Sequence, residues 1–262
     1  MEFLAAIKLG YVLSGLIVGT AVGLTGVGGG SLMTPILILV FGIPPVAAVG
    51  TDLLYAAATK TVGSMMHRAH DTIDLKIVGR LALGSVPAAV VTILILNSLG
   101  IASSKTNVLV SDVLAVALFI TAIALIFRNR LLKYYAKHVG ALTDRQTLLY
   151  TVLTGAILGA LVASTSVGAG ALGVTALILL YPKMPAVRLV GSDIAHAVPL
   201  TLVAGMGHWL LGNIDFVLMG TLLLGSIPGI LIGSALAPRV PELFLRRAMA
   251  LVLAIVAVRL VI

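Results

Sequence analysis

Apolar runs of roughly 20 residues recur along the chain, separated by short polar or glycine- and proline-bearing breaks, and that length is what a helix needs to cross a bilayer. The pattern predicts segments near 5–24, 31–43, 46–66, 77–96 and 108–127, and again near 147–164, 171–181, 186–211, 216–236 and 243–262. Two of these, 31–43 and 171–181, are too short to span comfortably. Each follows a glycine tract, "GLTGVGGGSLMTP" from residue 23 and "ASTSVGAGALGVT" from residue 163. Each reads as a half-helix that can turn back with its neighbour as a re-entrant hairpin, the tract forming the tip. Backbone broken at membrane depth forfeits hydrogen bonds that no water replaces, so such a break needs a reason.

The two sets of segments are copies of one unit. An offset of 140 residues superposes "SGLIVG" (14–19) on "TGAILG" (154–159) and "TGVGGG" (25–30) on "TSVGAG" (165–170). Past a one-residue insertion the offset is 141: "VGTDL" (49–53) falls on "VGSDI" (190–194), His67 on His208, and "GSVPA" (84–88) on "GSIPG" (225–229). The chain therefore divides into repeat one, 1–127, a polar linker, 128–145, and repeat two, 146–262.

Charge orients the copies, because cytoplasmic loops carry the excess of Lys and Arg. "HRAHDTIDLKIVGR" in copy one holds Arg68, Lys76 and Arg80, whereas the matching "HWLLGNIDFVLMG" holds no Lys or Arg; one loop earlier, "FGIPPVAA" is uncharged and "YPKMPAVR" carries Lys183 and Arg188. The copies face opposite ways. With the linker inside, 13 of the 17 Lys and Arg lie inside and both termini lie outside. The expected fold is an all-α polytopic membrane protein built of two inverted-topology repeats of about five helical segments each, with short or re-entrant half-helices at the glycine breaks.

Composition agrees: 60% of residues are hydrophobic, 10% are charged, and the mean hydropathy is +1.18. Little chain remains for a soluble domain. The net charge of +8 is explained as orientation signal, so nucleic acid is not an expected partner. No cysteine is present, which removes disulfides, thiolate metal sites and cysteine nucleophiles. "GVGGGS" lacks the lysine and spacing of a phosphate-binding loop, and no ATP-binding element is visible. The opening residues read as a retained first helix rather than a removable signal, since an acid precedes a long apolar run.

Inverted repeats with discontinuous helices point to a secondary transporter. Free N–H groups at a half-helix start present partial positive charge to an anion. Gly28, Gly29 and Gly30, with Gly168 and Gly170, would let backbone approach a ligand, and Thr25, Ser31, Thr165 and Ser166 would add hydroxyls. Packing alone is the plainer reading of the same glycines. Asp52 and Asp193 occupy matching places after "GT" and "GS"; each is read either as an N-cap of its helix or as a carboxylate that couples a proton or cation to transport. Lys60, about two turns beyond Asp52, could attract an anion, pair with Asp52 or snorkel to the boundary; its counterpart is Thr201. His196 replaces Tyr55 and reads as a packed histidine or a proton relay.

At "GVGGGSLMTPILILVFGIPPVAAVGTDLL" and "HRAHDTIDLKIVGRLALGSVPA" the sequence resembles the TauE/SafE sulfite exporter family, also called the toluene sulfonate uptake permease family, and the likeness extends over essentially the whole chain. The resemblance implies a bacterial or archaeal inner-membrane carrier of small sulfur-containing or other organic anions such as sulfite, sulfoacetate or sulfonates. Copy two departs from the glycine pattern, with Ala169 for Gly29 and Ala171 for Ser31, so an asymmetric site is expected. The expected partners are a small anion, the lipid bilayer, a coupling proton or cation, and optionally a second copy in a homodimer; no cofactor or metal is expected. The rival readings are a passive anion channel, a cation or metal carrier, and an intramembrane hydrolase with Ser31 or Ser166 as nucleophile and His196 as base.

Overall fold

The computed structural model describes residues 2–25, 30–100, 103–138, 142–236 and 240–261. Ten helices follow in order: α1 (Glu2–Thr25), α2 (Gly30–Leu39), α3 (Pro45–Ala69), α4 (Leu75–Ser98), α5 (Ser104–His138), α6 (Asp144–Thr165), α7 (Ala171–Leu180), α8 (Ala186–Leu210), α9 (Phe216–Leu236) and α10 (Glu242–Val261). No strand occurs among the described residues.

The starts of these helices are set locally. Pro44 and Pro185 precede α3 and α8, and Asp74 caps α4 by accepting from the Lys76 and Ile77 N–H groups. Thr143 and Gln146 close a capping box on α6. The polar linker is more helical than a connecting stretch would suggest, since α5 runs through it to His138. Between Ser104 and His138 there is neither Gly nor Pro to stop it, and its 35 residues extend about 52 Å.

Among the described residues five helices are long and apolar enough to cross a membrane: α4, α5 over Ser104–Arg128, α6, α8 and α9. The half-helices α2 and α7 have 10 residues each, about 15 Å, half of a bilayer core. Apolar side chains such as Ile17, Leu94, Val116, Leu231 and Ile255 are exposed, whereas Asp52, Lys60, Asp193, His196 and His208 are buried. This protein is a multi-pass helical membrane protein in which these five ionisable groups are buried within the helix bundle.

The helices pair across the chain rather than along it. α1 lies on α9, α4 on α6, α3 on α8 and α5 on α10; exchanging α1–α5 for α6–α10 maps these pairings onto themselves. Glycines at four-residue spacing allow the closest approach. Gly15, Gly19 and Gly23 of α1 rest on the backbone at Leu222, Ser226 and Ile230, and Gly225, Gly229 and Gly233 of α9 rest on that at Val12, Leu16 and Thr20. On the other side, Gly155 and Gly159 of α6 rest on Leu81 and Ser85, and Gly84 of α4 on Val152. At each of these a methyl group would collide with a backbone carbonyl.

Two further bonds stitch the halves together. The Asp74 N–H donates to Ser192 Oγ at 2.8 Å, and the Asp215 N–H donates to Thr51 Oγ1 at 3.2 Å. Each "ID" loop is thereby fastened beside the aspartate of the opposite half, since Ser192 precedes Asp193 and Thr51 precedes Asp52.

Candidate functional site

Asp52 and Asp193 lie inside α3 and α8, seven residues beyond their first residues, so neither carboxylate caps the helix that carries it. The capping expectation fails because Pro44 and Pro185 start these helices two turns earlier. Asp74 and Asp215 cap instead, at α4 and α9, the latter accepting from the Leu218 N–H at 2.9 Å. Both buried aspartates instead face the half-helices. Thr34 of α2 donates to Asp52 Oδ2 at 2.5 Å, and Ser166 adjoins the same carboxylate. Asp193 Oδ1 presses on Gly173 in the first turn of α7, in space that a Cβ would fill, and the Gly170 N–H faces the carboxylate. Neither oxygen of Asp193 has a hydrogen bond of good geometry; Asp52 leaves only Oδ1 in that state.

Two matching bonds flank this pair. Tyr55 donates to Ser226 Oγ at 2.6 Å, and His196, its counterpart, meets Ser85 Oγ at 2.7 Å through Nε2. Ser85 and Ser226 come from the duplicated "GSVP" and "GSIP". The hydrolase dyad is therefore not assembled: His196 pairs with Ser85, and Ser166 adjoins Asp52, its buried Oγ making no hydrogen bond of good geometry. His208 Nε2 reaches the Ala163 carbonyl at 3.0 Å, in the last turn of α6. A carbonyl only accepts, so this nitrogen carries the proton.

At the second glycine break the geometry accounts for the residue type. Ser166 turns to φ 60°, Gly168 to 128° and Gly170 to 114° before α7 begins. Left-handed backbone of this kind costs glycine little. The threonines spend their hydroxyls locally: Thr165 donates to Leu161 O at 2.6 Å and Thr25 to Ala21 O at 2.7 Å. In the first break, Gly30 opens α2 and Ser31 is buried, while Gly28 and Gly29 lie outside the described residues.

A cavity of about 460 Å³ enters beside these groups. Thr59, Lys60, Gly63, His67 and His70 line it from α3 and its C-terminal end, with Thr72 beyond them. Val22 and Gly23 of α1, Val187 and Ile194 of α8, and Ile230 and Ser234 of α9 complete the wall. His70 is exposed, whereas Lys60 is only 7% exposed, so the cavity descends about 15 Å along α3 to a buried ammonium. Snorkelling does not describe Lys60. The carboxylates of Asp193 and Asp52, one from each half, both act on it, and it is the one buried Lys or Arg among the described residues. His67 stands on the path with Nδ1 at 2.8 Å from Thr72 Oγ1; because that hydroxyl already donates to the His67 carbonyl, Nδ1 is the protonated nitrogen.

Of the residues singled out from sequence, Lys60 alone lines this cavity. Thr59, Gly63 and His67 were not given a ligand role, although the signal existed: Lys60, Gly63, His67 and His70 recur at i, i+3, i+7 and i+10, a single stripe on a helix.

Comparison with known proteins gives a consistent result. The chain is 40% identical over 214 residues to the probable membrane transporter protein YjnA of Bacillus subtilis, covering 80% of this chain and 83% of that one. A probable membrane transporter protein of Methanocaldococcus jannaschii is 28% identical over 220 residues, covering 82% of this chain and 76% of its own. YdhB of Bacillus subtilis, also a probable membrane transporter protein, is 28% identical over 219 residues, covering 79% and 81%. No solved structure matches. The family model for the sulfite exporter TauE/SafE matches residues 11–260, and the chain, a membrane transporter, belongs to that family.

Proposed function

We propose that the protein is a secondary transporter for a small anion of the sulfite, sulfoacetate or sulfonate class, working by alternating access between two inverted repeats, 1–127 and 146–262. The observation that carries this reading is a mismatch between the halves. When the lining of the cavity is shifted by the repeat offset, nine of its twelve positions fall in or against one buried hydrophobic cluster. Thr59 and Gly63 map onto Leu200 and Ala204, Gly23 onto Ala163, and His70 onto Leu211. Ile230 and Ser234 map onto Ala89 and Ile93, and Ile194 onto Leu53. One half is parted where the other is packed shut, as expected of a carrier caught facing one way.

Charge supports the direction. The cavity opens beside His70 and Thr72, next to the Arg68–Arg80 loop that the distribution of Lys and Arg assigns to the cytoplasm, so this is the inward-facing form, with the linker 128–145 inside and both termini outside. Lys60 at its blind end supplies the charge that holds the anion, and the glycine breaks at Gly168 and Gly170 serve as pivots. The equivalent site facing outward would have Thr201 in place of Lys60.

Sulfite flux in proteoliposomes with an imposed pH gradient, against protein-free vesicles, tests this reading. Saturable flux that follows the gradient is expected. Flux that matches the protein-free control for sulfite and sulfonates alike would reject the substrate class.

A further inference from the structure

The two buried aspartates are not equivalent. Asp52 holds a 2.5 Å bond from Thr34, with Ser166 beside it, whereas both oxygens of Asp193 are buried without a hydrogen bond of good geometry. Asp193 feels the charge of Lys60 across the α3–α8 contact, where Ile194, next to Asp193, packs on Gly63, and both Ile194 and Lys60 line the cavity. An incoming anion and Asp193 therefore compete for one cation. Both cannot stay ionised beside it, since a second negative charge there would be buried without compensation.

Resting on the anion-transporter reading above, we propose that Asp193 is the resting counter-ion of Lys60 and takes up one proton each time an anion displaces it. The balance is simple. Before binding, the buried set holds the Lys60 ammonium and the Asp193 carboxylate; afterwards it holds the ammonium, the anion and a neutral Asp193 carboxylic acid, the proton having come from cavity water. The charge of the set does not change, so for a monovalent anion the step that carries it across is electroneutral and anion and proton travel together.

Among the described residues no cation other than Lys60 acts on Asp193. The helices packed on α8 are α3, α4, α6 and α7. From α3 the charge acting on Asp193 is Lys60, with Asp52 beyond it; His67 lies against Gly191 of α8 but is engaged by Thr72, Tyr55 is engaged by Ser226, and α7 has no titratable side chain. α4 and α6 carry Lys76, Arg80, Asp144, Arg145 and Tyr150 in their first two turns. On α8 itself Arg188 lies five residues before Asp193, and His196, three residues after it, is engaged by Ser85. The setting is donor-poor: Oδ1 lies against Gly173 and neither oxygen accepts a hydrogen bond of good geometry, so protonation forfeits no such bond.

The test is calorimetric binding of methanesulfonate, which stays ionised at neutral pH, to the purified full-length protein in two buffers of different protonation enthalpy. Wild type is expected to take up about one proton per bound anion. Asp193→Asn, which imitates the protonated acid, should bind with none. In Asp52→Asn the number of protons per bound anion stays at that of wild type, whatever happens to affinity. Reconstituted flux of the Asp193→Asn variant should become sensitive to membrane potential, because the anion then crosses without its proton. Binding of methanesulfonate by wild type without proton uptake overturns this proposal and leaves the anion carrier standing, as does normal uptake in Asp193→Asn. Absence of binding by wild type for methanesulfonate, sulfoacetate and sulfite overturns the anion reading and this proposal with it. The wild-type measurement decides the matter even if the variants fail to fold.

Discussion

The half around the cavity and the half around the packed cluster share one plan and differ in chemistry. Where the first has Thr59, Lys60, His70 and Ser234, the second has Leu200, Thr201, Leu211 and Ile93 at the equivalent places. Water fills a cleft lined by the first set at little cost, but opening the second would hydrate leucine and isoleucine that are now 0% and 8% exposed. On the proposed alternating-access reading these are two gates of one plan made unequal by divergence, one polar and cationic, the other dry and neutral. On that reading an anion would be attracted from one side and excluded by a hydrophobic closure on the other.

Substitutions can equalise or exaggerate this contrast. The most drastic should be Gly19→Val and Gly159→Val, one in each half, because either added side chain meets a serine backbone carbonyl on the facing helix; neither variant is expected to give monodisperse protein by size-exclusion chromatography. Lys60→Met removes the charge from the cavity and should weaken methanesulfonate binding roughly 10- to 100-fold by calorimetry, the range of a charged hydrogen bond. Adding Thr201→Lys to it should not restore binding, since Thr201 is fully buried and does not line the cavity.

Labelling reads the gates directly. The chain has no cysteine, so single cysteines can be placed without further engineering. Ser234→Cys should react with a small charged maleimide in detergent, while Ile93→Cys at the matching place should be largely protected. Leu200→Thr combined with Ile93→Cys should lose part of that protection, because it brings one residue of the polar gate into the dry one. Thr34→Val strips Asp52 of its short bond and should cost about 1–3 kcal/mol, seen as a lowered melting temperature in detergent. Thr175→Val at the matching separation from Asp193 should cost less, since Thr175 donates only to Ala171 O in its own helix.

The helices were readable because their signals are local: apolar run length, Pro44 and Pro185 before α3 and α8, and the glycine tracts before α2 and α7. The extension of α5 went unread since a polar stretch looks like a loop until its lack of Gly and Pro is noticed. Lys60, Asp52, Asp193 and His196 stood out as costly charges or polar groups in an apolar chain, yet their partners could not be read from spacing. Thr34, Ser85 and Gly173 reach them across helices, 18 to 111 residues away in the two bonded cases. The capping assignment failed for a related reason: "TD" and "SD" resemble a helix start, but the helices had already begun at the prolines. Which half is open is a property of packing between helices and leaves no mark on any one of them.

The crossed pairing of α1 with α9 also has a consequence for biogenesis. When Thr25 leaves the ribosome, the glycine face of α1 has no partner, and Phe216 at the head of α9 follows 191 residues later. At cellular elongation speeds of about 5–20 residues per second that is a wait of roughly 10–40 s. For that interval α1 must be sheltered by lipid or by the insertion machinery, and a nascent chain arrested before α9 would present a close-packing surface with nothing to close on.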